Sequence, residues 1–240
     1  MKHKVISSAF KALAASTLIS GLTFSAQAAT VSIEFTNLTH GIHFTPLLFT
    51  AHSDGTHLFE IGTMASAELQ TMAEGGAIDG LVTVAESIGA STVANPAEGL
   101  LAPGASVSID SWDTGTNTEL TVTAMLLPTN DGFVGLDAWT IPTEPGTYTI
   151  TLNGYDAGTE ANNELVLDGS GASGVPGIPA NPGGNGGMNG TGVTTEEANG
   201  MVHIHRGVIG DTDPEGGASD LDSRIHRWLN PVARLIITVQ

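Results

Sequence analysis

Three acids stand next to or near glycines at turns: Asp131 in "PTNDGFVG", Asp156 in "NGYDAGTE", and Glu160 four residues further on. Two chemistries are open to them. Short acidic side chains bond nearby backbone amides and so build turns. Carboxylates gathered at strand ends instead repel one another until something positive lies between them. Gly132 and Gly158 let the backbone come close to whatever these acids hold.

Other groups compete for attention. In "DTDPEGGASDLD", Asp211, Asp213, Glu215, Gly216, Ser219 and Asp222 echo a twelve-position calcium loop. Pro214, a final Asp in place of Glu, and the lack of a preceding helix pattern favour an ordinary turn. The histidines His40, His43, His203, His205 and His226 raise a metal-carrier reading. His203 and His205 alternate as strand neighbours that share a face, yet no third ligand follows at a recognised spacing. Asp110 and Asp113 are an acid pair of the kind a polysaccharide-acting enzyme uses. Against that stand only three Trp and two Tyr as sugar platforms, and no G-x-S-x-G, H-E-x-x-H or phosphate-cradling loop.

The elements that must position these residues are mostly strands. "VSIEFTNL" (31–38), "ELTVTAMLL" (119–127) and "GTYTITLNG" (146–154) alternate with period two. "GIHFTPLLF" and "SVSID" read as further strands. "VARLIITV" (232–239) is so continuously apolar that it reads as a strand buried on both faces. In "ASAELQTMAEGG" the spacing of Leu69, Met72 and Ala73 predicts a helix, with Ser66 as its cap, Gly75-Gly76 as its stop, and Glu68 and Glu74 toward water. "IDGLVTVAESIG" fits a short helix or a strand. Residues 169–200, crowded with Gly, Pro and Asn, bury too little apolar surface to offset their ordering entropy and read as a long flexible loop inside one domain.

The first 28 residues have a basic start, an apolar run and an Ala26-Gln27-Ala28 cleavage pattern, which predicts an export signal removed before Ala29. The apolar run is too short for a stable membrane span. Three of the seven basic residues lie in that segment, so four arginines and no lysine face 25 acids beyond it, a formal charge of −21. Such a surface repels nucleic acid and anionic lipid and attracts cations. With no cysteine, any cross-link comes from packing or metal.

Several segments, in order, resemble the spondin domain of secreted matrix and bacterial proteins. These are "SDGTHLFEIGTMASAELQTMAEGG", "LLPTNDGFVGLDA", "GYDAGTE", "DPEGG" and "NPVARLIITV", spanning about Val31 to Val239. The resemblance implies an all-β fold for residues 29–240, an antiparallel β-sandwich with one or two short helices. It also implies one calcium ion held by Asp131, Asp156 and Glu160, where Glu160 replaces the family's more usual Asp. Calcium takes hard oxygen ligands in forgiving geometry, and the longer Glu can chelate with both oxygens. The implied role is a secreted, non-catalytic adhesion or matrix module whose partner is a surface protein or glycan. The leading segment yields the first test: intact-mass measurement of protein recovered from outside the cytoplasm should show a chain beginning at Ala29, and a retained N-terminus would remove the export reading.

Overall fold

Alternating side chains decide part of the architecture, because strands 30–37 and 233–239 bury one face, whereas 48–52 and 119–127 are buried at every position. The computed structural model describes residues 29–240, so the predicted signal segment 1–28 lies outside the described residues. The strands are β1 (Thr30–Asn37), β2 (His43–Phe44), β3 (Leu48–His52), β4 (Ser91–Ala94) and β5 (Ser106–Asp113), then β6 (Glu119–Leu127), β7 (Gly132–Thr140), β8 (Gly146–Asp156), β9 (His203–Ile204) and β10 (Ala233–Val239). Two helices, α1 (Ala67–Gly75) and α2 (Asp79–Ser87), lie between β3 and β4. Strand neighbours run β4-β3-β6-β7-β8-β10-β1-β5, with β2 on β6 and β9 on β8. All of these pairings are antiparallel.

β8 turns the corner of the sandwich. Its first half pairs with β10, from Gly146 opposite Val239 to Leu152 opposite Ala233. Its second half pairs with β7, from Asn153 opposite Gly135 to Asp156 opposite Gly132. The sheet therefore curls until its outer strands meet: Trp112 Nε1 on β5 donates to Ser91 Oγ on β4 at 2.9 Å. The fold is all-β and antiparallel, consistent with the sandwich that the family resemblance implies, and the sheet is nearly closed like a barrel. The last strand sits between β8 and β1, so the chain's end completes the sheet its beginning started.

Two apolar clusters fill the interior. In one, the Phe35 ring packs edge-on against Phe44 and Phe49 at 6.0 and 5.7 Å. In the other, Phe59, Phe133 and Tyr155 pack beneath Leu69 and Met72 of α1. Ser66 caps α1 by accepting the Leu69 N–H, and Gly76 ends it at φ +75°, as expected from the sequence. "IDGLVTVAESIG" resolves as α2. "GIHFTPLLF" breaks into β2 and β3, while β4 and the long β7 have no counterpart among the predicted strands. β10 alternates buried and half-buried residues, so it is buried fully on one face only.

Glu74 is a correction. It does not face water but is fully buried. Its Oε1 accepts from Gln70 and its Oε2 accepts the Gly174 N–H at 2.6 Å. Two other buried acids behave alike. Glu164 accepts N–H groups of Ile209 and Gly210 and the Ser219 hydroxyl. Asp220 accepts the Val166 and Gly190 N–H groups. Segment 169–200 holds no helix or strand of its own, yet the Gly174 bond to Glu74, the Gly190 bond to Asp220 and the buried Ile178 fasten it to the sandwich. Removing a charged acceptor strands several buried donors, at about 1.5–3 kcal/mol per charged bond. Glu164→Ala should therefore lower unfolding free energy by about 3 kcal/mol or more, measured by urea denaturation; a change within error would show that Glu164 pins nothing.

Candidate metal centre

Asp131 sits in the tight connection from β6 to β7. Thr129 shapes that connection, its hydroxyl donating to Leu126 O at 2.6 Å and accepting the Gly132 N–H at 3.0 Å. Glycine is required next, because a Cβ at position 132 would stand 2.7 Å from Thr129 Oγ1 and 3.1 Å from the His205 ring. The β7–β8 register then brings Asp131 beside the end of β8, where the Ala157 N–H donates to Asp131 O at 3.2 Å.

The turn after β8 wraps around the Asp131 carboxylate. Its Oδ2 accepts the Thr159 N–H at 2.7 Å and the Glu160 N–H at 3.1 Å. Asp156 accepts the Gly158 N–H on Oδ1 at 2.9 Å and the Asn162 amide on Oδ2 at 2.6 Å. Gly158 takes φ +71°, and a Cβ there would meet Asn199 O at 2.7 Å. Glu160 Oε2 accepts the Gly177 N–H at 2.9 Å and the Asn130 amide at 3.3 Å. The turn thus combines both readings open to these acids: they form turn hydrogen bonds, and they are also brought together.

That gathering is electrostatically expensive. Asp131, Asp156 and Glu160 are 0, 1 and 5 % exposed. Burial, with repulsion from Asp156 as the next largest cause, pushes the Asp131 carboxyl up to about 8 despite the two backbone N–H groups that oppose the shift. Burial raises Asp156 also, with Glu197 adding repulsion and the Asn162 amide opposing. Glu160 is pushed up to about 7, again chiefly by burial. Two oxygens, Asp131 Oδ1 and Glu160 Oε1, are buried without any hydrogen-bond partner. Among the described residues, Arg224 pairs with Asp222 and Arg234 with Glu34, so no arginine neutralises the three acids.

The donor set fits calcium, being hard oxygen with unpartnered lone pairs. Convergence is less complete. Among the described residues, no group of three or more His, Asp or Glu side chains stands ready to hold a metal ion. The Glu160 Oε2 turns toward Gly177 and Asn130, while its Oε1 has no partner. A cavity of about 440 Å³ beside it is lined in part by Glu160, Asn163, Thr191 and Glu197.

The rival groups stand elsewhere. Asp211 accepts the N–H groups of Asp213, Ala218 and Ser219, and Asp222 pairs with Arg224, so this loop is a hydrogen-bonded turn. His205 Nδ1 accepts the Gly207 N–H and His226 Nδ1 accepts the Asp222 N–H. Each ring therefore carries its proton on Nε2, and neither nitrogen has a lone pair free for a metal. Burial depresses His205 to about 3, which keeps it neutral against Trp228, 5.0 Å away. His43 is the first residue of β2 and His40 lies in the approach to it, and Asp110 and Asp113 lie exposed on the outer strand β5. Asn130, Asn162, Glu197 and His203 are the site's neighbours that sequence reasoning did not connect to it. For the first two, the signal is Asn130 directly before Asp131 in "TND" and Asn162 two residues after Glu160 in "TEANN".

No helix among the described residues is long and apolar enough to cross a membrane. No curated protein matches the chain. The Spondin_N family model matches residues 29–165, more than half of the chain and a span that contains Asp131, Asp156 and Glu160 but not segment 166–240. The chain belongs to the spondin N-terminal domain family of extracellular modules.

Proposed function

We propose that this is a secreted, non-catalytic calcium-binding module in which Asp131, Asp156 and Glu160 join the β6–β7 turn to the turn after β8, and that it serves adhesion to a surface or matrix partner. The observation that carries the reading is a contrast between buried acids. Both oxygens of Glu74, Glu164 and Asp220 have donors. At the Asp131 centre, one oxygen of Asp131 and one of Glu160 have none. A buried carboxylate oxygen without a donor or cation is strongly disfavoured. Bound calcium supplies the positive charge that satisfies such oxygens. The chain's own residues do the rest: Asn130 and Asn162 orient the Glu160 and Asp156 carboxylates, and the Thr159 and Glu160 amides hold Asp131 in place.

The adhesion role is supported by membership of an extracellular family and by the formal charge of −21 beyond residue 28, which draws divalent cations to the surface. Calorimetric titration tests the ion. At one hundred times its dissociation constant, calcium should add about 2.7 kcal/mol of stability, or about 5–10 °C in melting temperature for a chain of this size. Asp156→Asn should abolish most of that gain. An unchanged melting temperature, or an equal loss in the presence of chelator, would leave the acids as turn formers only.

Protons and calcium compete for the same oxygens, so pH gives a second test. The three carboxyls are raised in the folded state, which therefore holds more protons than the unfolded chain, and their stabilisation falls as pH rises. It is complete below the ordinary carboxyl range of about 4 and is lost through about 7 for Glu160 and about 8 for Asp131. Buried neutral His205 and His226 act oppositely, and only below their ordinary value of 6.5. In chelator, the melting temperature should drop by about 4 °C or more between pH 6.5 and 8.5. Asp131→Asn should flatten the drop, and calcium should remove it. A flat profile in chelator for the unaltered protein would contradict this electrostatic account.

A further inference from the structure

We propose that His203 is a nitrogen donor at the Asp131–Asp156 centre, so that the centre takes a borderline divalent transition ion as well as calcium. The inference rests on the location proposed above for the cation, but not on calcium being the ion. His203 on β9 is the direct register partner of Asp156 on β8. Opposed residues of an antiparallel pair project to the same side, and His203 Nε2 stands 3.7 Å from Asp156 Oδ2.

The hydrogen bonding of the ring decides what that nitrogen offers. His203 Nδ1 lies 2.7 Å from Met201 O. A carbonyl only accepts, so Nδ1 carries the proton and, in the neutral ring, Nε2 presents its lone pair toward Asp156. This is the opposite tautomer from His205 and His226, whose Nδ1 atoms accept backbone N–H groups. Of these three rings His203 alone is set as a ligand. The Nδ1–H to backbone carbonyl bond is also the arrangement that orients metal-bound histidines.

At 3.7 Å the two lone-pair atoms are too far apart for a hydrogen bond. They match two ligands of one ion: bonds of about 2.1 Å at a tetrahedral angle put ligand atoms about 3.4 Å apart. The independent sign of a ligand here is Asp131, fully buried beside Asp156 with its Oδ1 unpartnered. Adding imidazole to carboxylates moves a site from hard cations toward zinc, cobalt or nickel. His203 lies beyond residue 165, where the family-model match ends, so this donor comes from the C-terminal segment that the match does not cover.

Cobalt(II), used alone as the probe with protein purified without a histidine tag, tests the inference. Proton NMR of the cobalt-loaded protein should show a hyperfine-shifted, exchangeable imidazole N–H resonance from Nδ1, protected by Met201 O. His203→Gln should remove that resonance and weaken cobalt binding by about tenfold or more, while Asp156→Asn removes cobalt binding. If calcium binding survives His203→Gln, displaces cobalt and is lost in Asp156→Asn, both readings stand. Cobalt bound at the centre with no shifted N–H in the unaltered protein, or with undiminished affinity in His203→Gln, overturns the role of His203 and leaves the calcium reading intact. Cobalt bound through His203 with no calcium response overturns the choice of calcium and supports the nitrogen donor. Loss of neither ion in Asp156→Asn overturns both.

Discussion

The Asp131 carboxylate accepting the Thr159 and Glu160 N–H groups is the contact on which this end of the sandwich depends. Beyond residue 28 the chain carries 25 acids, no lysine and four arginines. Side-chain cations are therefore too few to neutralise the acids that folding buries. What remains is the backbone N–H, a fixed dipole that costs no side-chain entropy to place. Asp131 uses two of them to hold a turn that the β7–β8 register would otherwise leave unsupported. The same solution recurs at Glu74, Glu164 and Asp220.

Segment 169–200 follows from that shortage. A stretch so rich in glycine loses much conformational entropy when ordered and gains little from apolar burial. Its compensation is polar: Gly174, Gly177 and Gly190 donate their N–H groups to Glu74, Glu160 and Asp220. Glycine exposes its amide without side-chain bulk, which permits a buried carboxylate to approach. Acids in the sandwich and glycines in the loop are two halves of one device, and neither composition makes sense without the other.

This explains what could be read from the residues alone. β6 and β8 were legible because period-two alternation survives in them, and α1 because Ser66 and Gly76 mark its ends. β7 was not, since "GFVGLDAWT" opens with glycine and hides its alternation behind an acidic turn. β10 read as doubly buried because Ile236, half-buried on the outer face, carries the same apolar signal as the core residues Leu235 and Ile237 beside it. Glu74 looked solvent-facing by helical position, and only the return of Gly174 from a hundred residues away reverses that. The three acids stood out at their turns, but it was the family resemblance that grouped them as one site. Glu197 and His203 were not legible, because they converge on Asn162 and Asp156 only after the long segment folds back.

Burial alone does not distinguish a pin from a binding site. Glu164 and Asp220 are as buried as Glu160, yet the fold gives each of their oxygens a donor. Had selection at the Asp131 centre been for rigidity alone, an asparagine at 131 would keep one acceptor for the Thr159 and Glu160 amides and relieve the repulsion with Asp156. A carboxylate there instead retains a buried oxygen without a partner, and burial, with repulsion from Asp156 added, raises its pKa to about 8. Such an arrangement destabilises the folded chain at neutral pH unless a cation is shared, and that differential is the free energy by which an ion can fasten two loops. A site built from repelling acids therefore couples ion binding to loop order, whereas a site already neutralised by amides would bind the ion without consequence for the fold.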